Sequence, residues 1–373
     1  MNQIYLDNAA ATKVDDFVLE KYLQYIQEFW ANPSSYHSTA RLVRAELEKA
    51  RIEISQIIGS LSQEVFFVPS STIANNIVLN SFENIIGFDF EHPSIEKQLI
   101  NRNQKILQID SSCVINLDKI IEVIDDKTEL ITLMYVNNIV GTIQPIAELC
   151  KRLETINTLR IKNHLPAIRV HSDCSQAFKY LDCKVKELGC DMMTLSSSKI
   201  NAPKGVSVLY VSKDVHLNPI FLGGSQEKGL ISGTENVPAI LAMMEAMKKL
   251  DFDRKKTNEH FAKLKKYLLN SIQSEDKISV LGVEKNVAGI VLFGIHGVEQ
   301  ETILTALDLD GFAVGSSSSC STGAIEENRF LRSIGYGKDF DSIIRISFAQ
   351  DTTLEQIKLF VVSLKNIIAK LSN

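Results

Sequence analysis

Apolar and polar positions along the chain alternate between two rhythms. Residues 15–29 place Phe17, Val18, Tyr22, Tyr25 and Ile26 close to helical spacing, which predicts an amphipathic helix. From Glu64 onward, short β-rich runs at 65–68, 105–109, 129–136, 167–172 and 206–210 are separated by helix-patterned stretches such as 73–81 and 146–153. That alternation predicts an α/β fold, with a mainly parallel central sheet flanked by crossover helices and functional side chains gathered at strand ends. A long charged helix follows at 238–272, with no Gly or Pro after its start. Beyond it lie strand-like runs at 287–293, 313–315 and 343–348 and a helix-like stretch at 300–307, so a smaller α+β domain is expected. Thr352-Thr353-Leu354-Glu355 reads as a capping box opening a last helix, with Leu354, Ile357, Val361, Leu364, Ile368 and Leu371 on one face. The expected division is a large domain over 13–250 and a small domain made of 1–12 and 251–373.

Composition narrows the class. The 373 residues are 45% hydrophobic and 23% charged, as in an ordinary globular protein. A formal net charge of -5 argues against a surface dedicated to nucleic acid. The dense basic stretch from Lys248 to Lys266 carries interspersed acids and reads as a solvated helix face. No apolar run approaches bilayer length and the first residues lack a signal organisation, so a cytoplasmic protein without membrane contact is expected. Six cysteines with no CxxC pair suggest buried free thiols rather than a disulfide framework or a zinc site.

Candidate chemistry begins at Lys199, which ends an apolar stretch from Asp191 through three serines and precedes Pro203-Lys204-Gly205. A lysine fixed in a partly desolvated site can bond an aldehyde; a solvated side chain is the alternative. Upstream, 167–172 runs into Asp173, Ser175 and Gln176, an acid, a hydroxyl and an amide at a strand end. A Schiff-base lysine and a carboxylate that keeps a pyridine nitrogen protonated are what pyridoxal 5'-phosphate requires, although Asp173 would also serve as a cap or turn residue. Ser71 and Thr72 follow a strand and open a helix, which suits a phosphate or a plain N-cap. His92 past another strand-like run could stack on a ring or be an ordinary half-buried histidine. Asn138 offers an amide at a further strand end, or simple loop chemistry. Arg345 interrupts an apolar strand and needs an anion, either a substrate carboxylate or a salt-bridge partner. Cys320 lies in the small, polar run 314–323, the setting of an accessible, reactive thiol.

Taken together, these residues resemble the cysteine desulfurases, pyridoxal-phosphate enzymes of the class V aminotransferase group with the fold-type I architecture. The resemblance covers nearly the whole chain. It takes in Tyr5-Leu6-Asp7-Asn8-Ala9-Ala10-Ala11-Thr12, Asn32-Pro33-Ser34-Ser35-Tyr36-His37, Glu91-His92, Val136-Asn137-Asn138 and Asp173 to Gln176. It continues through Lys199 with Pro203-Lys204-Gly205, Gly223 to Glu227 with Ser232-Gly233-Thr234, the Cys320 loop, and Ile344-Arg345.

The resemblance implies that Lys199 is the Schiff-base lysine and proton-transfer base and that Asp173 partners the pyridine nitrogen. Gln176 would bond the ring hydroxyl and His92 would stack on the ring. Ser71, Thr72 and Ser196 would bind the phosphate, joined by Thr234 from the neighbouring subunit of a homodimer. Asn138 and Arg345 would hold the substrate, and Cys320, in the small domain, would accept the sulfur. The implied activity is L-cysteine desulfuration to L-alanine and a persulfide. The sulfur would pass to an acceptor protein for iron–sulfur cluster assembly or nucleic-acid thiolation. Selenocysteine lyase or another class V lyase, and a weakly active relative serving as a partner in a sulfur-transfer complex, are the alternatives. The chain departs from the family pattern at Ser198 (usually histidine), Ile231 (usually arginine), Cys174 (usually alanine), Ser70 (usually glycine) and Ile139 (usually glutamate). The first two remove anion contacts.

Overall fold

The chain opens with a strand, β1 (Ile4–Leu6), that joins a sheet built mostly from the far end of the sequence. Between them come β2 (Val65–Val68), β3 (Ile85–Phe88), β4 (Lys105–Leu107), β5 (Leu130–Thr132), β6 (Arg169–Asp173), β7 (Met192–Ser196) and β8 (Ser207–Val211). These seven form one sheet in the order β2-β8-β7-β6-β5-β3-β4. Four of its six pairings are parallel, from β7 across to β4, while β8 runs antiparallel to both of its neighbours. The structure, a computed structural model, describes residues 3–282, 285–316, 334 and 339–371.

The central strands are buried because helices cover both faces of the sheet. Every residue of β3, β5, β7 and β8 is buried. The predicted run 129–136 forms a regular ladder only over β5, yet Leu133 N and Tyr135 N still donate to His171 O and Asp173 O at 3.0 Å each. The strand therefore stays in line with β6 up to the point where Asn137 begins a turn. Parallel order brings the carboxyl ends of β5, β6 and β7 to one edge, the place where an α/β sheet holds its ligand.

The second sheet has the order β1-β11-β12-β10-β9, with β9 (Ile278–Leu281), β10 (Ile290–Ile295), β11 (Phe312–Ser316) and β12 (Ser342–Ser347). Only β1 pairs in parallel, Leu6 opposite Val314, and a further bridge joins Asp7 to Ser347. The helix Val237–Ile272 links the sheets and spans about 54 Å at the usual rise per residue. Its first half is buried nearly continuously from Val237 to Leu250. Its second half buries Thr257, Phe261, Leu264, Leu268 and Ile272, a stripe at helical spacing. The two halves answer different surroundings, a packed bundle and then a single face.

The last helix, Leu354–Leu371, carries its apolar face as expected, but its capping box lies one residue later than the sequence suggests. Thr353 Oγ1 accepts from Gln356 N at 3.2 Å and Gln356 Oε1 accepts from Thr353 N at 2.8 Å. Thr352 instead accepts from Ala349 N at 2.9 Å, holding the turn that leaves the sheet. Among the described residues no helix is long and apolar enough to cross a membrane.

One buried ion pair fixes the loop that leads to Thr234. Arg51 meets Glu227 through two bonds of 2.8 Å, and Glu227 Oε2 also accepts from Phe67 N at 2.9 Å on β2. Glu227 and Lys228 adopt left-handed backbone angles, φ 45° and 57°, that non-glycine residues avoid. The pair, with side chains 8% and 2% exposed, holds them there. Glu227→Ala removes the buried counter-ion of Arg51 and leaves only the half-exposed Glu48, 3.2 Å from Nε, so we expect it to lower stability by about 3 kcal/mol in denaturant unfolding. A loss within experimental error would show that water reaches this pair.

Candidate active site

A cavity of about 430 Å³ opens at the carboxyl ends of β5, β6 and β7, and its walls draw on segments from across the chain. Ala9, Ala10 and Ala11 come from the turn after β1, and Ser71 and Thr72 from the start of the helix Ser71–Asn80. Asp173, Ser175 and Gln176 follow β6, Ser196 to Lys199 follow β7, and Lys204 to Ser207 lead into β8. His92, Asn138, Ser316 and Arg345 complete the enclosure. Of the residues singled out in the sequence, all but Thr234 and Cys320 line this one space. Thr234 is exposed and outside the lining, and Cys320 lies outside the described residues.

Asp173 is 6% exposed, and its two carboxyl oxygens are held by separate donors. Oδ1 accepts from Ser175 N at 2.9 Å and Oδ2 from Asn75 Nδ2 at 2.8 Å. Asn75 Nδ2 also lies 2.9 Å from Ser94 Oγ, and Ser94 Oγ lies 2.9 Å from His92 Nδ1. A hydrogen-bonded row thus runs from the histidine to the carboxyl group. Burial holds the His92 pKa below its ordinary value, which leaves the ring neutral near pH 7 and apolar on its faces. His92 Nδ1 also caps the helix Pro93–Asn101 by accepting from Ser94 N at 3.2 Å, with Pro93 at the first helical position.

Behind His92, Glu91 is fully enclosed; desolvation pushes its carboxyl group well above the usual range, while Oε1 accepts from Met134 N at 2.8 Å. A neutral acid there does not compete with Asp173 for a positive group in the cavity.

The helix Ser71–Asn80 takes its N-cap from Ser70, whose Oγ accepts from Ile73 N at 3.2 Å. The cap is therefore spent one residue earlier than Ser71 and Thr72, whose hydroxyls line the cavity beside the unpaired amides of the first turn. Across from them Ser196 Oγ and Ser198 Oγ lie 3.0 Å apart. Lys199 Nζ donates to Ala10 O, which brings the amine to the N-terminal turn, and Gln176 Nε2 donates to Ala9 O at 2.6 Å.

Arg345, 3% exposed, is held from two sides: Nη1 donates to Asn138 O at 2.9 Å and Nη2 pairs with Asp7 Oδ1 at 2.7 Å. Asp7 is the partner that local sequence does not reveal, since the two residues meet only because β1 and β12 flank β11. Gly315 makes room for the pair, because a Cβ there would come 2.4 Å from Asp7 Oδ1 and 2.9 Å from Arg345 Nη2. Asn75 and Ser94 also belong to the site without having stood out in the sequence; each is a common polar residue, and they meet across 19 positions of the chain.

Among the residues that line the cavity, two buried polar atoms have no partner in the described protein, Ser175 Oγ and Arg345 Nε. Together with an amine, a carboxyl group, a neutral imidazole and a hydroxyl-lined helix start, they suit an aldehyde cofactor bearing a basic ring nitrogen and a phosphate, whose substrate carries a carboxylate. The residues present fit pyridoxal 5'-phosphate. Thiol chemistry is suppressed elsewhere in the described chain. All five described cysteines are buried and unpaired, and burial raises the Cys113 thiol to about 11, Cys150 to about 12, and Cys174 and Cys190 well above the usual value.

The sequence pattern of the family described as Aminotransferase class-V matches residues 4–360. Among its relatives, the protein named putative cysteine desulfurase IscS 1 of Bacillus subtilis is 32% identical, with all of both chains covered. The cysteine desulfurase IscS of Dictyoglomus turgidum is 30% identical over 99% of this chain and 95% of its own. Among solved structures, a NifS-like protein from Rickettsia africae superposes with a TM-score of 0.87 at 26% identity, covering 99% of this chain and 100% of that one.

A second buried imidazole sets an acid limit on the site. His171, enclosed within β6, has Thr132 Oγ1 2.9 Å from Nδ1 and Thr194 Oγ1 3.0 Å from Nε2, and burial lowers its pKa to about 4. The unfolded chain takes up this proton near pH 6.5 and the folded chain does not until about pH 4. The stability this group confers is therefore complete above pH 6.5 and is lost as pH falls from there toward 4. In denaturant unfolding across that window, His171→Gln should show a shallower loss than the wild type. Parallel profiles would mean that His171 titrates alike in both states.

Proposed function

The chain belongs to the class V aminotransferase family, and from that membership we propose that it is an L-cysteine desulfurase. It converts L-cysteine to L-alanine and keeps the sulfur as a persulfide on Cys320. The observation that carries this reading is the convergence of Lys199, Asp173, His92 and Arg345 on one cavity.

When bound, pyridoxal 5'-phosphate supplies a protonated pyridine ring that draws the electron pair from the amino acid's Cα. Asp173, oriented by Ser175 N and Asn75, keeps the proton on the ring nitrogen. His92 would stack its neutral ring on the pyridine, and Gln176, with one amide proton committed to Ala9, would offer the other to the ring hydroxyl. Ser71, Thr72 and Ser196 hold the phosphate at the helix start. Lys199 Nζ is the amine that would hold the cofactor and would move the substrate's Cα proton. Arg345 and Asn138 hold the substrate carboxylate, the Arg345 Nε–H being the buried donor without a protein partner.

The Cys320 thiolate then attacks the substrate sulfur. An S–S bond forms as the Cβ–S bond breaks, and the electron pair stays on carbon, which takes up a proton to become the methyl group of alanine. Ser316, the last described residue before the stretch that carries Cys320, lines the cavity, which supports this placement.

The working unit in this reading is a homodimer. Thr234, exposed in its own chain, reaches the phosphate of the neighbouring subunit. Trp30 at 74% and Leu222 at 90% exposure contribute apolar surface that an interface would cover. The sulfur leaves on an acceptor protein for iron–sulfur cluster assembly or nucleic-acid thiolation.

Incubation with L-cysteine followed by intact-mass and peptide analysis tests the proposal. The wild type should gain sulfur on Cys320, and Cys320→Ala should gain none. Lys199→Ala should form alanine at least about 100-fold more slowly, as expected for loss of the proton-transfer group. Sulfur on another cysteine, or alanine formation undiminished without Lys199, would overturn it.

A further inference from the structure

The charge balance of the cavity, read as a pyridoxal 5'-phosphate site, assigns a role to one more residue. A phosphate monoester carries about 1.5 to 2 negative charges at neutral pH. The hydroxyls of Ser71, Thr72 and Ser196 and the amides of the helix start meet it with dipoles, which leave most of that charge uncompensated.

Among the described lining residues, four side chains can be cationic: His92, Lys199, Lys204 and Arg345. Three are committed. His92 is half-buried and kept neutral near pH 7 by desolvation. Lys199 donates to Ala10 O, and its amine is taken up by the cofactor's carbonyl carbon. Arg345 has Asp7 as counter-ion at 2.7 Å and Asn138 O as a second acceptor, with the substrate carboxylate as its remaining anion.

Lys204 makes no hydrogen bond or ion pair within the described chain and is exposed where it lines the cavity. The backbone delivers it there. Asn201 at φ 60° and Gly205 at φ 89° reverse the chain between β7 and β8, so that Lys204 to Ser207 face the same space as Ser196 to Lys199. Gly205 has nothing within 4 Å of where a Cβ would stand, so its role is the turn itself. On the adjoining wall Ser198, paired with Ser196 at 3.0 Å, contributes a hydroxyl where the family pattern has an imidazole, and it adds no charge.

We propose that Lys204 is the cation that neutralises the cofactor's phosphate in this protein. A lysine suits the task as a compact point charge on a flexible stem, able to settle on the phosphate without a preformed bidentate geometry. It takes over the compensation that Ser198 and Ile231 do not provide.

Comparing two ligands, one with the phosphate and one without, isolates this role from a structural one. The purified holoenzyme is stripped of cofactor with hydroxylamine, and the full-length protein is titrated with pyridoxal 5'-phosphate and, separately, with pyridoxal. In Lys204→Ala and Lys204→Gln the Kd for pyridoxal 5'-phosphate should rise about tenfold, the loss of one charge-assisted contact, while that for pyridoxal stays unchanged. Lys204→Arg, which keeps the charge, should stay near the wild type, and Ser198→His placed in Lys204→Ala should restore part of the lost affinity. If both ligands weaken together, or if the alanine variant binds pyridoxal 5'-phosphate as the wild type does, Lys204 is not the phosphate's counter-ion. A wild type that binds neither ligand would instead overturn the cofactor reading, and this inference with it.

Discussion

A carboxyl group sealed at the end of β6 sets the arrangement of the cavity. Asp173 cannot be buried there without donors, and the donors that meet it belong to separate elements, Asn75 on the helix after β2 and Ser175 N in the turn that follows. Because Asn75 also reaches Ser94, and Ser94 reaches His92, one amide aligns two helix starts with one acid. Displacing either helix would leave a buried polar group unpaired. The site is thus positioned by the cost of desolvation, and its precision is inherited from the core.

A second constraint ties the first residues of the chain to the last sheet. Arg345 needs an anion, and Asp7 meets it because β1 is inserted beside β11. The turn after β1 then supplies Ala9 O to Gln176 and Ala10 O to Lys199. The N-terminal residues therefore close the cavity from above while their own strand belongs to the other sheet. Motion between the sheets would change the surroundings of Lys199 and Arg345 together, which suits a site that must admit a substrate and then exclude water.

Much of this is legible in the sequence, for a physical reason. Short β-rich runs mark the strands, and the polar residues at their ends mark the ligand edge, which is how Asp173 and Lys199 stand out. Other features are hidden for equally physical reasons. β3 is four residues long and contains Gly87, where a Cβ would lie 2.3 Å from Leu99, so it leaves no period to detect. Thr352 and Thr353 each have a suitable partner three residues on, and only the chain direction leaving β12 decides that Thr353 is the cap. Asp7 could not be matched to Arg345 from composition or spacing, because their meeting depends on strand order across the whole chain. Asn75 and Ser94 are inconspicuous for the same reason.

The proposed anchoring amine is Lys199, and not the other lysine of the lining, Lys204, or the buried Lys179, whose Nζ donates to Phe348 O at 2.7 Å away from the cavity lining. Reduction of the cofactor-loaded protein with borohydride, followed by peptide mapping, tests this most directly. The pyridoxyl group is expected on the peptide containing Lys199 and on no other. A label on Lys204 or Lys179, or no label on a protein that had bound the cofactor, would contradict it.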